Sequence, residues 1–205
     1  MAAWSEVSYG RLFGGCDLAA EHYHPDKLKY LERLNALGGT PIGRIASPVR
    51  EIVTPSPDIP VFDLAAAQVH VLQRENAQTE ERVSAKKKAK GRDVIVSRLR
   101  SYLRQVAVIP VGIDLVLLST EFVVLRPKSQ DDVGFLVPYI LSEPIQSILA
   151  WSQDGNEHPR FNEQVLLSVL VIPRVLALRE RLNRIVGDAA ASLTNSAKCY
   201  TEAEV

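Results

Sequence analysis

The sequence predicts an α+β protein: a curled mixed β-sheet with flanking helices, followed by a C-terminal coiled-coil-type helix. Three observations predict it. Runs rich in β-branched residues crowd residues 93–127 as DVIVS, QVAVIP, DLVLLS and EFVVLRP, with short polar or proline punctuation between them, as in a curled β-meander. Leu28, Leu31, Leu34 and Leu37 recur at three-residue intervals ahead of that β region. Behind it, Val175, Leu178, Leu182, Ile185 and Ala189 alternate steps of three and four, the a/d spacing of a coiled-coil seam.

Taken in order, HPDKLKYLERLNALGG reads as an amphipathic helix, with Pro25 near its start and Gly38-Gly39 as its stop. Pro41, Pro48, Pro55, Pro57 and Pro60 then remove backbone donors and hold the chain extended, so VFDLA is the one plausible strand there. From Gln73 to Lys90 the chain is polar and turns from acidic to basic, as a solvated helix or a loop. The four strands follow. DDVGFLVPYILSEPIQSILAWSQ is helix-like but broken at Pro138 and Pro144, and RFNEQVLLSVLVIP predicts a short helix leading to a strand that Pro173 closes. A helix from Pro173 to about Asn195 would run roughly 33 Å, with Arg179, Glu180, Arg181 and Arg184 flanking its seam. Gly187 weakens it by roughly 1 kcal/mol relative to alanine. The expected division is a domain over residues 1–172 and a helical dimerisation and spacer segment over 173–205.

The chain has 205 residues, 46% of them apolar, enough for a real core. Lysines and arginines equal aspartates and glutamates at 24 each, so only local clustering can argue for a polyanionic partner. Cys16 and Cys199 lie near opposite ends with no metal or redox spacing and read as free thiols in a reducing cytosol. The N-terminus lacks a signal-peptide pattern and no apolar run reaches the roughly 18 residues of a membrane helix. A soluble cytoplasmic protein is expected, with no membrane partner.

Local clustering is strong. Between Arg82 and Arg104 stand nine lysines and arginines against one acid, Asp93. Lys86, Lys87, Lys88 and Lys90, on a flexible segment, suit nonspecific phosphate attraction. Arg98, Arg100 and Arg104, on a structured hairpin, have the rigidity that bidentate reading of guanine demands. Arg92 falls within the same tract, and Tyr102 can stack on a sugar or base. The alternative is a solvated lysine loop beside an edge strand protected by charge. Arg160, after Gly155 and before a helix start, suits either a phosphate contact or a structural ion pair or cap. Trp151 fits core packing better than stacking, and His22, His24 and Asp26 are too few for a metal site. The 175–189 seam suits pairing with a second copy or packing against Leu28 to Leu37.

Four stretches, in this order, carry a resemblance: CDLAAEHYHPDKLKYLERL, GRDVIVSRLRSYLRQVAVIP, STEFVVLRPK and GNEHPRFNEQVLLSVLVIP. Together they resemble one target-recognition half of the DNA specificity subunit of type I restriction-modification systems, over most of residues 16–195. Arg92 between Gly91 and Asp93, Ser101 in place of a proline and Glu121 where glycine is common depart from that pattern. Family members usually carry two recognition domains and two long helices, whereas this chain carries one of each, as a half-subunit or a truncated or divergent relative would. The resemblance implies a target-recognition domain over residues 1–172 and a noncatalytic role on double-stranded DNA. It also implies a homodimer through the terminal helix, and partnership with a methyltransferase (modification) subunit and, as an optional addition, a restriction subunit on a bipartite site. A protein-interaction adaptor that keeps the fold without specific DNA binding is the competing reading. The sequence has no glycine-rich phosphate loop, nucleophile elbow, HExxH, NPPF or DPPY, and Asp58 with Glu80 or Glu81 lacks the nearby lysine pairing of a restriction-nuclease core, as expected of a noncatalytic chain. No cofactor is called for.

Overall fold

The computed structural model describes residues 4–8, 12, 19–56, 58–73, 77 and 84–203. Cys16, Pro57, Glu80, Glu81 and Arg82 lie outside them, as does most of the acidic half of the 73–90 stretch. Helix α1 (Pro25–Leu37) starts where expected. His24 Nδ1 accepts from the Asp26 amide at 3.3 Å, and Pro25 occupies a first-turn position whose N–H would be unpaired anyway. It ends at Gly38, at φ 67°. Steps of three residues rotate about 60° short of a full turn, so the predicted leucine stripe winds around the helix. Leu34 is buried while Leu37 is 61% exposed.

The order continues as β1 (Thr40–Pro41), α2 (Ile42–Ile45), β2 (Ala46–Val49), β3 (Ile52–Val53) and β4 (Val61–Phe62), with a 3-10 turn at Leu64–Ala67. Next come β5 (Lys86–Ala89), β6 (Val94–Ser97), a 3-10 turn at Ser101–Leu103, β7 (Val106–Val108), β8 (Val116–Leu118) and β9 (Phe122–Pro127). The rest is α3 (Leu136–Ile140), α4 (Glu143–Ala150), β10 (Gln153–Asp154), β11 (Arg160–Phe161), α5 (Glu163–Ser168), β12 (Leu170–Val171), α6 (Pro173–Ala177) and α7 (Arg179–Ala203). Helix and sheet are thus mixed as predicted, but three sequence expectations need correction.

First, the strands do not form a meander. One four-stranded sheet runs β2-β9-β6-β7 and a second runs β3-β5-β8-β4, with β4 and β8 parallel. The chain leaves the first sheet after β7 because Pro110 has no donor to continue the ladder and Gly112 turns at φ 89°. Second, the proline-rich stretch holds more strand than VFDLA. Pro48 lies within β2, opposite Leu125, and is tolerated because β2 is an edge strand. Third, Lys86 to Ala89 form a strand between β3 and β8 rather than a flexible segment.

The first sheet is buried on both faces. Val94 and Val96 of β6 join a core with Leu136, Ile140, Ile145, Ile148 and Leu166 from α3, α4 and α5. Ile95, between them, joins Phe62, Leu118, Phe122 and Val124 in a second core against the other sheet. This explains why β6 reads as an unbroken apolar run. Pro138 and Pro144 fall in the first turns of α3 and α4, where a missing N–H costs little.

The tail is two helical pieces, α6 and α7, with a non-helical joint at Leu178. It docks on the loop after β9. Asn183 accepts from the Phe135 amide at 2.7 Å and donates to the Asp132 carbonyl at 2.6 Å. Val186 lies against Gly134, where an added Cβ would stand 3.2 Å from its Cγ1, and Ala190 is buried. Helix α1 packs instead on α4.

Candidate nucleic-acid interface

The predicted basic tract is divided between the two ends of β6. Arg92, in the turn before β6 at φ 76°, and Arg98, just after the strand, are six residues apart, at most about 20 Å at 3.3 Å per residue. At the Val94 end, Arg92 Nε meets Asp132 Oδ1 at 2.6 Å, and Lys90 is exposed. Beneath them Asp93, fully buried, accepts Arg126 Nε at 3.0 Å and Nη2 at 2.7 Å, and also the Lys90 amide at 3.0 Å. This two-pronged pairing lets a carboxylate sit inside the fold. Arg179 of the tail adds a longer pair to Asp131, 3.8 Å. The lysines of β5 lie along the strand between β3 and β8. Lys88 pairs with Glu51 at 2.5 Å and Lys86 donates to Ser84 at 2.8 Å. Lys87 points inward and donates to the Phe122 carbonyl at 2.7 Å, and burial, then the nearby Arg98 charge, pushes its ammonium pKa down.

The Ser97 end is built differently. Three segments converge there and are tied through their backbones: the Arg98 amide donates to the Glu121 carbonyl at 2.9 Å, the Arg100 amide to Pro159 at 2.9 Å, and the Phe161 amide to Arg98 at 3.3 Å. Leu99 also bridges Arg160. This brings Arg98, Arg160 and Glu121 together. Arg160 clasps Glu121 with Nε and Nη2, both at 2.8 Å, and gives Nη1 to the His158 carbonyl at 2.9 Å. Arg98 Nη2 stands 3.6 Å from the same carboxylate, and its Nε is buried with no hydrogen-bond partner. The Arg160 fork holds the Glu121 carboxyl below the usual carboxylate range. Nearby, Arg50 clasps Glu163 at 2.6 and 3.1 Å.

Beyond this network the chain turns through Ser101–Leu103 between two arginines in the left-handed region, Arg100 at φ 49° and Arg104 at φ 53°. For residues with a Cβ, that conformation costs roughly 1–2 kcal/mol each. The turn is held by its neighbours. Leu103 donates to Arg100 at 2.9 Å, Arg104 to Ser101 at 2.8 Å and Ser97 to Gln105 at 2.9 Å, while Ser101 and Gln105 are buried beneath it. Strain maintained in this way gathers at functional sites. Arg104 folds its guanidinium onto the Leu141 carbonyl at the end of α3. Among the described residues no ion pair engages Arg100, and Tyr102 is 64% exposed.

Of the residues the sequence nominated, then, Arg98, Arg100, Tyr102, Arg104 and Arg160 share one end of the molecule. Lys90 and Arg92 stand at the other, and Lys86 to Lys88 line a strand of the second sheet, from which Lys87 alone reaches inward to the Ser97 end beside Arg98. Glu121, Arg50 and Glu163 were not nominated. Glu121 was visible only as an acid replacing a glycine. Trp151 stacks on His24 with ring centroids 3.6 Å apart, and His22 Nε2 lies 3.2 Å from Asp154. Of the seam, Val175 and Leu182 pack partly against the chain's own core, while Leu178, Ile185 and Ala189 are exposed. No helix among the described residues is long and apolar enough to cross a membrane.

No protein-family model matches the sequence, and no curated protein matches it. Solved structures do match. A chain from a type I R-M system, studied for complex assembly and conformational transition, is 22% identical with a TM-score of 0.57. The match covers 79% of this chain and 43% of that one. The HsdS subunit from Thermoanaerobacter tengcongensis is 21% identical with a TM-score of 0.51, covering 78% of this chain and 43% of that one. This chain shares their fold and spans less than half the length of either.

Proposed function

We propose that this chain is a noncatalytic, sequence-specific DNA-recognition subunit whose DNA-facing surface is the Ser97 end of β6. The observation that carries the reading is the turn from Arg98 to Arg104: stiff, strained, tied to two other segments, and supplied with more cations than carboxylates. Guanidiniums held on a stiff turn present a fixed fork to phosphates and base edges, whereas a lysine acts as a flexible point charge. The fold shared with type I R-M specificity chains supports the same role. The test is binding of a random duplex library by the full chain across salt concentrations. About six phosphate contacts predict a log-log slope near −5.

In this reading the tail joins two copies. At about 100° per residue, Ile185 and Ala189 fall on one stripe of α7, roughly a third of a turn from the Asn183–Val186–Ala190 face that grips the body, and Leu178 is exposed at the joint before it. That leaves the Leu178, Ile185 and Ala189 part of the seam open, while Val175 and Leu182 are partly packed on the body. Two copies so joined read two half-sites and present them to a methyltransferase subunit, with a restriction subunit as a further addition. Sedimentation of Ile185→Asp tests the joint: the dimer is lost, and an unchanged dimer removes the tail from the interface.

The adaptor reading is favoured by a different observation: Lys88 and Arg92 each have a carboxylate of their own, and Arg160 is clasped to Glu121. Flat, negligible duplex binding, even with the partner methyltransferase present, decides for it.

A further inference from the structure

The tip of the 98–104 turn carries two apolar side chains that neither core takes up. Tyr102 and Leu103, neighbours on a single 3-10 turn, are 64% and 41% exposed. Their backbone is held by the hydrogen bonds from Leu103 to Arg100 and from Arg104 to Ser101, over buried Ser101 and Gln105. Arg104, which lines the same shallow surface as Tyr102, gives its guanidinium to the Leu141 carbonyl, and half-buried Arg100, at the start of the turn, is its other cation. The acid that lines the same shallow surface, Glu143, accepts a hydrogen bond from Tyr30 at 3.1 Å. The tip is therefore a stiff aromatic and aliphatic edge on a turn whose Arg100 makes no ion pair among the described residues.

An apolar protein surface closing over this tip would strip water from Arg100 without supplying a carboxylate, which is unfavourable. A nucleic-acid groove suits all three side chains, because its walls are phosphates and its floor is the edges of stacked bases. Proteins that bend duplexes use apolar side chains in this way, leaning them between base pairs while flanking cations hold the backbone.

We propose that Tyr102 and Leu103 form a wedge that enters a base step of bound duplex DNA while Arg100 holds the adjoining phosphate. This rests on the DNA-recognition reading and deepens it. Part of the specificity then comes from how readily a step unstacks, favouring pyrimidine–purine steps at the wedge.

The experiment uses the full chain and a duplex recovered by repeated selection from a random library, with 2-aminopurine placed at successive positions. Wild-type binding raises the fluorescence severalfold at one step. Y102S/L103S, both exposed positions, abolishes that rise and reduces preference for the selected duplex while leaving the salt slope unchanged; Y102F/L103M retains the rise. Tight binding with no fluorescent step overturns the wedge and leaves DNA recognition standing. Equal loss of affinity for every sequence in Y102S/L103S, with a shallower salt slope, also overturns it. If the wild-type chain binds no duplex, the DNA-recognition reading fails first and the wedge falls with it.

Discussion

Arginines stand at both ends of β6, at most about 20 Å apart along the chain, and the two ends use them differently. At the Val94 end each arginine meets its own carboxylate: Arg126 with Asp93, Arg92 with Asp132, Arg179 with Asp131. At the Ser97 end Arg98 and Arg160 share the single carboxylate of Glu121, and Arg100 stands beside them. The first arrangement neutralises charge and joins β6, the loop after β9 and the tail into one unit. The second leaves cationic surplus on a turn with two left-handed arginines, Arg100 and Arg104, where the first has one, Arg92 at φ 76°, already paired with Asp132. What an arginine does here depends on the number of acids the fold brings to it, not on its place in a basic run.

The largest expected effect breaks the neutral end. Arg126→Met leaves Asp93 buried without its charged partner, and denaturant unfolding should show a loss of about 3–5 kcal/mol, with little change in the salt slope of duplex binding. At the cationic end, Glu121→Gln removes the one shared charge. Its folded-state pKa is depressed, so its contribution is present above the unfolded carboxylate value and lost as pH falls through the folded value. Melting curves from pH 7 downward should therefore show a stability loss in wild type that Glu121→Gln lacks, and the variant should bind random duplex more tightly. Smallest in stability is Arg100→Gly. Relief of the left-handed strain, roughly 1–2 kcal/mol, less the roughly 0.5–1 kcal/mol entropy cost of glycine, predicts a gain of about 0.5 kcal/mol, accompanied by weaker duplex binding. A stability loss would show that the strain does not belong to function.

Much of this contrast was hidden in the sequence for a physical reason. The four strands of the 93–127 region, helix α1 and the tail were legible because periodicity is local. The run from Arg82 to Arg104, nine cations to one acid, was legible too. Its compensation was not, because Glu51, Glu121 and Asp132 arrive from elsewhere in the chain. The two-sheet topology escaped for the same reason: the Pro110–Gly112 turn looks like one more meander turn until the sheet it enters is known. The alternating burial of β5, which sends Lys87 inward, was hidden because lysines gave no apolar period to read. Glu121 left the clearest trace, as a departure from a glycine pattern, and its meaning appeared only with Arg160 beside it.

The most direct measurement compares the two ends on one axis: the salt dependence of random-duplex binding by wild type, Arg92→Ala and Arg100→Ala. Losing one phosphate contact lowers the log-log slope by about 0.9. A surface at the Ser97 end predicts that drop for Arg100→Ala and an unchanged slope for Arg92→Ala. The reverse pattern, or equal slopes for all three proteins, contradicts it.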